Sequence, residues 1–233
     1  MQPMPPAAQL VFGARLPLAE SYARLLTGPG VERGLVGPRE PERIWDRHLL
    51  NCAALAPLLP DDARVVDVGS GAGLPGLALA IRRPDLYVDL VESLRRRTDF
   101  LAEVVGELGL SDRVRVVRGR VEDPAVIDAV GSADWVTARA VAPLDRLVAW
   151  CLPLLRPGGS LLALKGARAA EELAEHAGAV RRRGGVHGRV VHCPLVVGDP
   201  TAAQSDDDET PSGISVVIVQ RGARSSRDGR GTR

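Results

Sequence analysis

Lysine is almost missing from this chain. Of its 30 basic residues only Lys165 is lysine, and the other 29 are arginine. Aromatic residues reach 3% of 233 positions, which argues against a platform that stacks the bases of single strands. An excess of one charge is missing too. The 29 acidic residues leave a formal net charge of +1, which excludes a polycation that holds nucleic acid by bulk charge. The three cysteines, Cys52, Cys151 and Cys193, are odd in number and far apart, with no CxxC or His/Cys cluster. Neither a disulfide framework nor a metal site is expected, which fits a reducing compartment. No uncharged apolar run approaches the ~18 residues of a membrane span. The start, MQPMPPAAQLVFGARL, lacks the basic segment and long apolar stretch of a signal peptide. A soluble, cytoplasmic, monomeric protein without membrane contact is expected.

What remains, 45% apolar and 25% charged residues, is a globular composition. The length suits one large domain or a domain with an appendage. The arginine excess reads as the codon bias of a GC-rich genome, which would also account for the many Ala, Gly and Pro. No internal repeats are found.

Residues 1–62 show no strand-like alternation. Apolar residues between Pro38 and Leu59 (Ile44, Leu49, Leu50, Ala53, Ala54, Leu58) follow helical spacing, and Pro60 ends the run. A shorter helix over Pro17–Leu26 precedes it, then a break at Gly28-Pro29-Gly30. This segment is predicted to be a helical extension. From Arg64 to Gly166 apolar, β-branched runs (Arg64–Val68, Tyr87–Val91, Val114–Val117, Trp135–Thr137, Ser160–Leu164) alternate with helical stretches (Gly76–Ile81, Arg95–Leu108, Pro124–Val130, Pro143–Leu155). Such near-continuous apolar strands predict a parallel sheet covered on both faces, a doubly wound α/β domain over 63–220. A helix at Ala167–Ala179 and strands at Gly188–His192 and Ile214–Gln220 would complete it. An acidic loop, 199–213, contains Asp206-Asp207-Asp208-Glu209 and is expected to be mobile. The tail 221–233 has five arginines and one aspartate and is expected to be disordered. Without its charge of +4 the rest of the chain falls from +1 to −3.

The segment richest in chemistry is VVDVGSGAGLPG, Val65–Gly76. A buried strand ends at Asp67–Gly69, a glycine loop follows, and Pro75 stands where a helix would begin. Gly69, Gly71 and Gly73 allow a sharp turn and a close approach to a ligand. The open end of a doubly wound sheet beyond its first strand is where such folds bind nucleotides. The second strand ends about twenty residues on at Glu92, placed to accept hydrogen bonds from a ribose diol. Two cofactors compete. Gly71 to Gly76 spells the GxGxxG of a dinucleotide site. Read as Asp67-x-Gly69-x-Gly71-x-Gly73, the same segment fits S-adenosylmethionine. Asp67 favours the second parse, since a carboxylate suits a cationic amino-acid end and repels a pyrophosphate.

The loop DVGSGAGLPG, with ERIWDRHLLNC (Glu42–Cys52), VESLRRRTDFL (Val91–Leu101), RGRVED around Val121-Glu122, VTARAVAPL (Val136–Leu144) and ALKG (Ala163–Gly166), resembles the bacterial 16S ribosomal RNA guanine-N7 methyltransferases. These are also called the glucose-inhibited division protein B family. The matches fall in the family's order and cover about residues 38–166. The resemblance implies a class I methyltransferase fold with a seven-stranded, mostly parallel sheet. It implies S-adenosylmethionine as cofactor, and N7 of one guanine in the 530 loop of 16S ribosomal RNA, or of the small subunit, as substrate. It further implies that Gly69 and Leu74 line the cofactor, Val121-Glu122 meet its adenine side, and Arg139 lies in the site. The family reads Asp-Ser where this chain has Asn51-Cys52.

Guanine N7 carries a free lone pair and needs no deprotonation, so catalysis can rest on alignment alone. Marks of other methyl transfers are missing. No (D/N)PPY loop follows the fourth strand, where Thr137-Ala138-Arg139-Ala140 stands, and Cys151 lies in an apolar helix expected to be core. Arg139, at the end of a buried strand, needs a partner: a cofactor carboxylate, a phosphate or guanine, or else a surface ion pair with Asp145 or Glu122. Lys165, at the end of the fifth strand, would neutralise an RNA phosphate or steer the base. His48 reads either as a group at the mouth of the site or as a satisfied helix histidine. The clusters Arg95–Arg97, Arg113–Arg120 and Arg181–Arg183 would form an RNA footprint only if they shared one side. Two other functions remain open at this level: a NAD(P)-dependent oxidoreductase, and a non-catalytic 16S RNA-binding or assembly factor.

Overall fold

The computed structural model describes residues 2–195 and 213–223. The acidic run and all but the first three residues of the tail lie outside them. Seven strands form one sheet: β1 (Arg64–Val68), β2 (Tyr87–Glu92), β3 (Val114–Arg118), β4 (Ala133–Arg139), β5 (Leu155–Lys165), β6 (Gly185–Pro194) and β7 (Gly213–Arg221). Their order is β3-β2-β1-β4-β5-β7-β6. Only β7 runs antiparallel to its neighbours. The order reverses between β1 and β4, which pair through Val65–Trp135 to Val68–Ala138, and so opens a crevice at their carboxyl ends.

Alternate strand residues face two cores, which explains the unbroken apolar runs. Val65, Val88, Leu90 and Val114 join one. Val66, Val68, Val91, Val136 and Ala138 join the other. The first face is covered by α1 (Pro6–Phe12), α2 (Leu16–Thr27), the single turn α3 (Pro29–Glu32), α4 (Asn51–Ala53), α5 (Gly76–Arg82) and α6 (Arg95–Glu107). On the opposite face lie α7 (Pro124–Val130), α8 (Leu144–Cys151) and α9 (Ala169–Arg182).

Helix α2 covers the predicted Pro17–Leu26 helix, but the stretch from Pro38 to Leu59 departs from its predicted single helix. Between Pro38 and Leu59 the chain makes a 3-10 turn (Glu40–Arg43), a π-helical stretch (Ile44–Leu50), the short α4 and a second 3-10 turn (Ala56–Leu58). Pro57 supplies no N–H and cannot continue a regular helix. The wider π turn buries Ile44, Trp45, Leu49 and Leu50 while leaving His48 beside the crevice. Strands β4 and β5 are longer than predicted, and the helix expected through Leu155 ends at Cys151, followed by a 3-10 turn at Leu152–Leu154. Among the described residues no helix is long and apolar enough to cross a membrane.

Candidate active site

The glycine loop leaves β1 and crosses the crevice. Gly69, Gly71 and Gly73 have φ of +68°, +59° and +105°, a region that disfavours side chains. A Cβ on Gly69 would lie 2.8 Å from Val141, and one on Gly73 only 2.4 Å from Leu77. Gly71 differs. Only the Gly69 carbonyl lies within 4 Å of its Cβ position, at 3.9 Å, so backbone conformation rather than lack of space keeps it glycine. Beneath the loop the Tyr22 hydroxyl of α2 donates to the Ala72 carbonyl at 2.9 Å.

Asp67 does not face the crevice, contrary to its expected role toward a cationic ligand. It is 0% exposed. Its carboxylate accepts from the Gly76 N–H at 3.1 Å and the Thr137 hydroxyl at 2.9 Å, joining the start of α5 to β4. Burial raises its pKa to about 6 against the stabilising effect of these donors. Gly76 is required here, because a Cβ would meet Asp67 and Leu90.

Glu92, 3% exposed, ends β2 as expected. One carboxylate oxygen accepts from the N–H groups of Ser93 (2.8 Å) and Leu94 (2.9 Å). The other accepts from Gly71 N–H (3.1 Å) and, more weakly, from Arg97 (3.3 Å). These donors fix the carboxylate between the glycine loop and α6.

Arg139 forms no ion pair with Asp145 or Glu122. Its guanidinium donates to Cys52 Sγ at 2.9 Å, His48 Nδ1 at 2.6 Å and the Arg47 carbonyl at 3.4 Å. All three acceptors are neutral groups of the amino-terminal segment. Cys52 is therefore a brace for Arg139. Asn51 donates to the Arg47 carbonyl at 3.2 Å, while its buried Oδ1 has no partner.

Lys165 has protein partners of its own. Its ammonium, 13% exposed, binds Glu172 at 2.8 Å and the Ala142 carbonyl at 3.0 Å. Glu172 also accepts from the Leu144 N–H at 2.8 Å. The pair thus ties the loop after β4 to α9. Lys165→Met should leave Glu172 half-buried and unpaired and cost about 1–2 kcal/mol. Thermal melting should show the midpoint falling by several degrees, about 2–6 °C. An unchanged midpoint would make the pair incidental.

Two cavities meet over the loop. One, about 440 Å³, is lined by Glu40, His48, Gly71, Leu74, Glu92 and Arg139 among others. Its neighbour, about 370 Å³, is lined by Glu92, Gly119, Val121, Glu122, Arg146 and Trp150. Both include Gly69, Ser93 and Val141 in their walls. A third, about 600 Å³, shares Arg139 and Ala140 with the first and adds Arg47, Asn51, Lys165 and Ser215. Of the site residues read from sequence, Gly69, Gly71, Leu74, Glu92, Val121, Glu122, Arg139 and Lys165 line these adjoining cavities, whereas Gly73 is buried beneath the loop and lines none of them. The sequence reading missed Tyr22, Glu40 and Trp150, and it singled out Cys52 without a role. A larger hollow of about 740 Å³, around Arg64, Tyr87 and Arg115, lies at the opposite edge of the sheet. There Asp89 already pairs both Arg64 and Arg115.

The arginine clusters do not share a side. Arg95–Arg97 open α6, Arg118 ends β3 and Arg120 follows in the next loop, all at the carboxyl edge. Arg113 donates to the Ala80 carbonyl and Arg115 pairs with Asp89 lower on β3. Arg181–Arg183 end α9 beside the start of β6, at the amino edge. Cys151 is buried core, and burial pushes its thiol well above the ordinary pKa, which unsuits it as a nucleophile. Among the described residues no group of three or more His, Cys, Asp and Glu could hold a metal ion.

A doubly wound sheet with its single antiparallel strand, a glycine loop at the switch point and a carboxylate ending β2 define a class I S-adenosylmethionine-dependent methyltransferase. Solved structures agree on the fold. A predicted O-methyltransferase from Agrobacterium tumefaciens matches with a TM-score of 0.57 at 18% identity, over 76% of this chain and 82% of that one. A SAM-dependent O-methyltransferase from Thermotoga maritima matches with a TM-score of 0.53 at 16% identity, over 75% and 65%. The chain belongs to the GidB family, rRNA small subunit methyltransferase G, which it matches over residues 15–196. A ribosomal RNA small subunit methyltransferase G from Salinispora tropica is 60% identical over 83% of this chain and 81% of its own length. One from Mycolicibacterium smegmatis is 57% identical over 81% and 80%. The chain is thus an S-adenosylmethionine-dependent methyltransferase of small-subunit (16S) ribosomal RNA.

Proposed function

We propose that the enzyme methylates N7 of one guanine in the 530 loop of 16S ribosomal RNA, working in the cytoplasm as a monomer and without a metal. The observation that carries the reading is a cleft with a fixed carboxylate, Glu92, toward one end and toward the other Arg139, which forms no ion pair among the described residues. S-adenosylmethionine supplies an electrophilic methyl group when bound. Glu92 takes the ribose hydroxyls, displacing the long Arg97 contact. Gly69, Gly71, Gly73 and Leu74 bring backbone against the ligand. Val121 and Glu122 border the adenine. Arg139 answers the methionine carboxylate, the cofactor's single anion, by a charge-assisted hydrogen bond.

The 600 Å³ cavity beyond Arg139 holds the guanine. N7 already carries its lone pair, so the site needs no general base. The described residues around it offer alignment and positive charge, and alignment accounts for most of the rate. Lys165 shapes this cavity through Glu172 and Ala142 rather than acting as a free cation. Incubation of 16S RNA and 30S particles with methyl-labelled cofactor, followed by mapping of the modified base, tests the reading. Label at an exocyclic amine or a ribose would refute it.

RNA phosphates meet the carboxyl edge. Arg118, Arg120 and Arg146 are exposed there and, among the described residues, have no ion-pair partner. Changing all three to glutamine should weaken RNA binding at least tenfold at low salt. The slope of log affinity against log salt should fall by up to about 2, at roughly 0.7 per phosphate contact. The same change at Arg182 and Arg183, at the amino edge, should leave both quantities unaltered. Equal effects from the two sets would remove the assignment of this edge.

A further inference from the structure

The amino-terminal segment touches Arg139 in a way that the methyl-transfer reading does not require. His48 lies between two partners, with Nε2 2.5 Å from Glu40 Oε2 and Nδ1 2.6 Å from the Arg139 guanidinium. Arginine can only donate, so Nδ1 is the acceptor and the ring proton sits on Nε2, directed at Glu40. Cys52 and the Arg47 carbonyl take two more of the guanidinium's five N–H groups, and Nε–H and one Nη1–H have no acceptor among the described residues. Neutral acceptors orient the guanidinium without cancelling its charge, whereas a carboxylate in their place would consume it.

We infer that His48, held by Glu40 as the neutral Nε2–H tautomer, is a positioning residue that aims Arg139 at the cofactor's carboxylate. The inference rests on the proposed role of Arg139. Protonation of His48 would set an Nδ1–H donor against the Arg139 donors and release the guanidinium. Burial and the neighbouring Arg139 hold His48 below its ordinary pKa, opposed by Glu40, with Arg47 adding repulsion. The charged groups facing the ring are Glu40, Arg47 and Arg139. Acid should therefore weaken cofactor binding. Asp67, with its pKa of about 6, is a second group beneath the loop that acid protonates. It contacts Gly76 and Thr137, not Glu40, so substitution of Glu40 separates the two groups.

Three proteins decide the matter: wild type, His48→Ala and Glu40→Gln. Calorimetric titration with S-adenosylmethionine is run from pH 5 to 8, and the His48 ring proton is followed by NMR without ligand. His48→Ala should weaken binding about tenfold at pH 7.5, the worth of one hydrogen bond, with an unchanged far-ultraviolet dichroism spectrum. Glu40→Gln keeps an acceptor for Nε2–H but removes the anion that favours protonation. The His48 titration and the acid limb of the binding curve should both move to lower pH. Cofactor affinity unchanged in His48→Ala, or an acid limb unmoved in Glu40→Gln, overturns the inference. The NMR titration of Glu40→Gln stands even if His48→Ala fails to fold. Failure of the wild type to bind the cofactor at any pH would instead refute the role of the cleft.

Discussion

Gly73→Val is expected to lower S-adenosylmethionine affinity at least a hundredfold while leaving the sheet folded. Gly73 has φ +105°, and its Cβ position lies 2.4 Å from Leu77 Cδ1 and 2.8 Å from the Tyr22 hydroxyl. A β-branched residue there adds about 1–3 kcal/mol of backbone strain and about 1–3 kcal/mol of overpacking. The loop can relieve this only by lifting, which breaks the Tyr22–Ala72 bond and moves Gly71 N–H away from Glu92. Both changes fall on the surface proposed to receive the cofactor. Gly71→Val should be milder, because its Cβ position is open and only the φ of +59° opposes it. Titration calorimetry beside circular dichroism reads both variants. Affinity within threefold of wild type for Gly73→Val would show that the loop does not hold the cofactor.

Arg139→Gln should reduce kcat/KM by about one to two orders of magnitude, the usual consequence of losing a charge-assisted hydrogen bond to the cofactor's carboxylate. Glutamine keeps an amide donor for His48 and Cys52, so the bracing survives while the charge goes. Because every observed partner of Arg139 is neutral, thermal stability should change little, by less than about 1 kcal/mol. That split between activity and stability separates a ligand-facing arginine from a structural one. Turnover within fivefold of wild type, or a large loss of stability, would contradict the assignment.

The strands were legible because a sheet covered on both faces demands apolar residues at most positions, as Val65, Val66 and Val68 in β1 and Val88, Leu90 and Val91 in β2 show. Their extensions at Ala133-Asp134 and Leu155–Gly159 carry charge, proline and glycine, so pattern alone missed them. The predicted helix over Pro38–Leu59 failed because helical spacing hid the Pro57 interruption and the π turn. Gly69, Gly71, Glu92 and Arg139 could be picked out because each stands on a contiguous motif, and the fold brings them to one cavity wall, while Gly73 packs beneath the loop. Tyr22 and Ala72 lie 50 residues apart, and His48 and Arg139 lie 91 apart, so only the fold could join them. Asp67 was visible as an acid at a strand end, but its burial against Gly76 and Thr137 was not. Lys165 stood out by rarity, yet its partner Glu172 is a conventional carboxylate seven residues on. Rarity had pointed to RNA, while the geometry points to the loop after β4.

The central claim is the identity of the methylated atom. Mass spectrometry of 16S ribosomal RNA from a strain lacking this gene tests it most directly, with the wild-type gene and the Arg139→Gln variant returned on plasmids. The account predicts that N7-methylguanine in the 530 loop disappears on deletion, returns with the wild-type gene and stays missing or sparse with the variant. An unchanged N7-methylguanine content in that loop after deletion would contradict it.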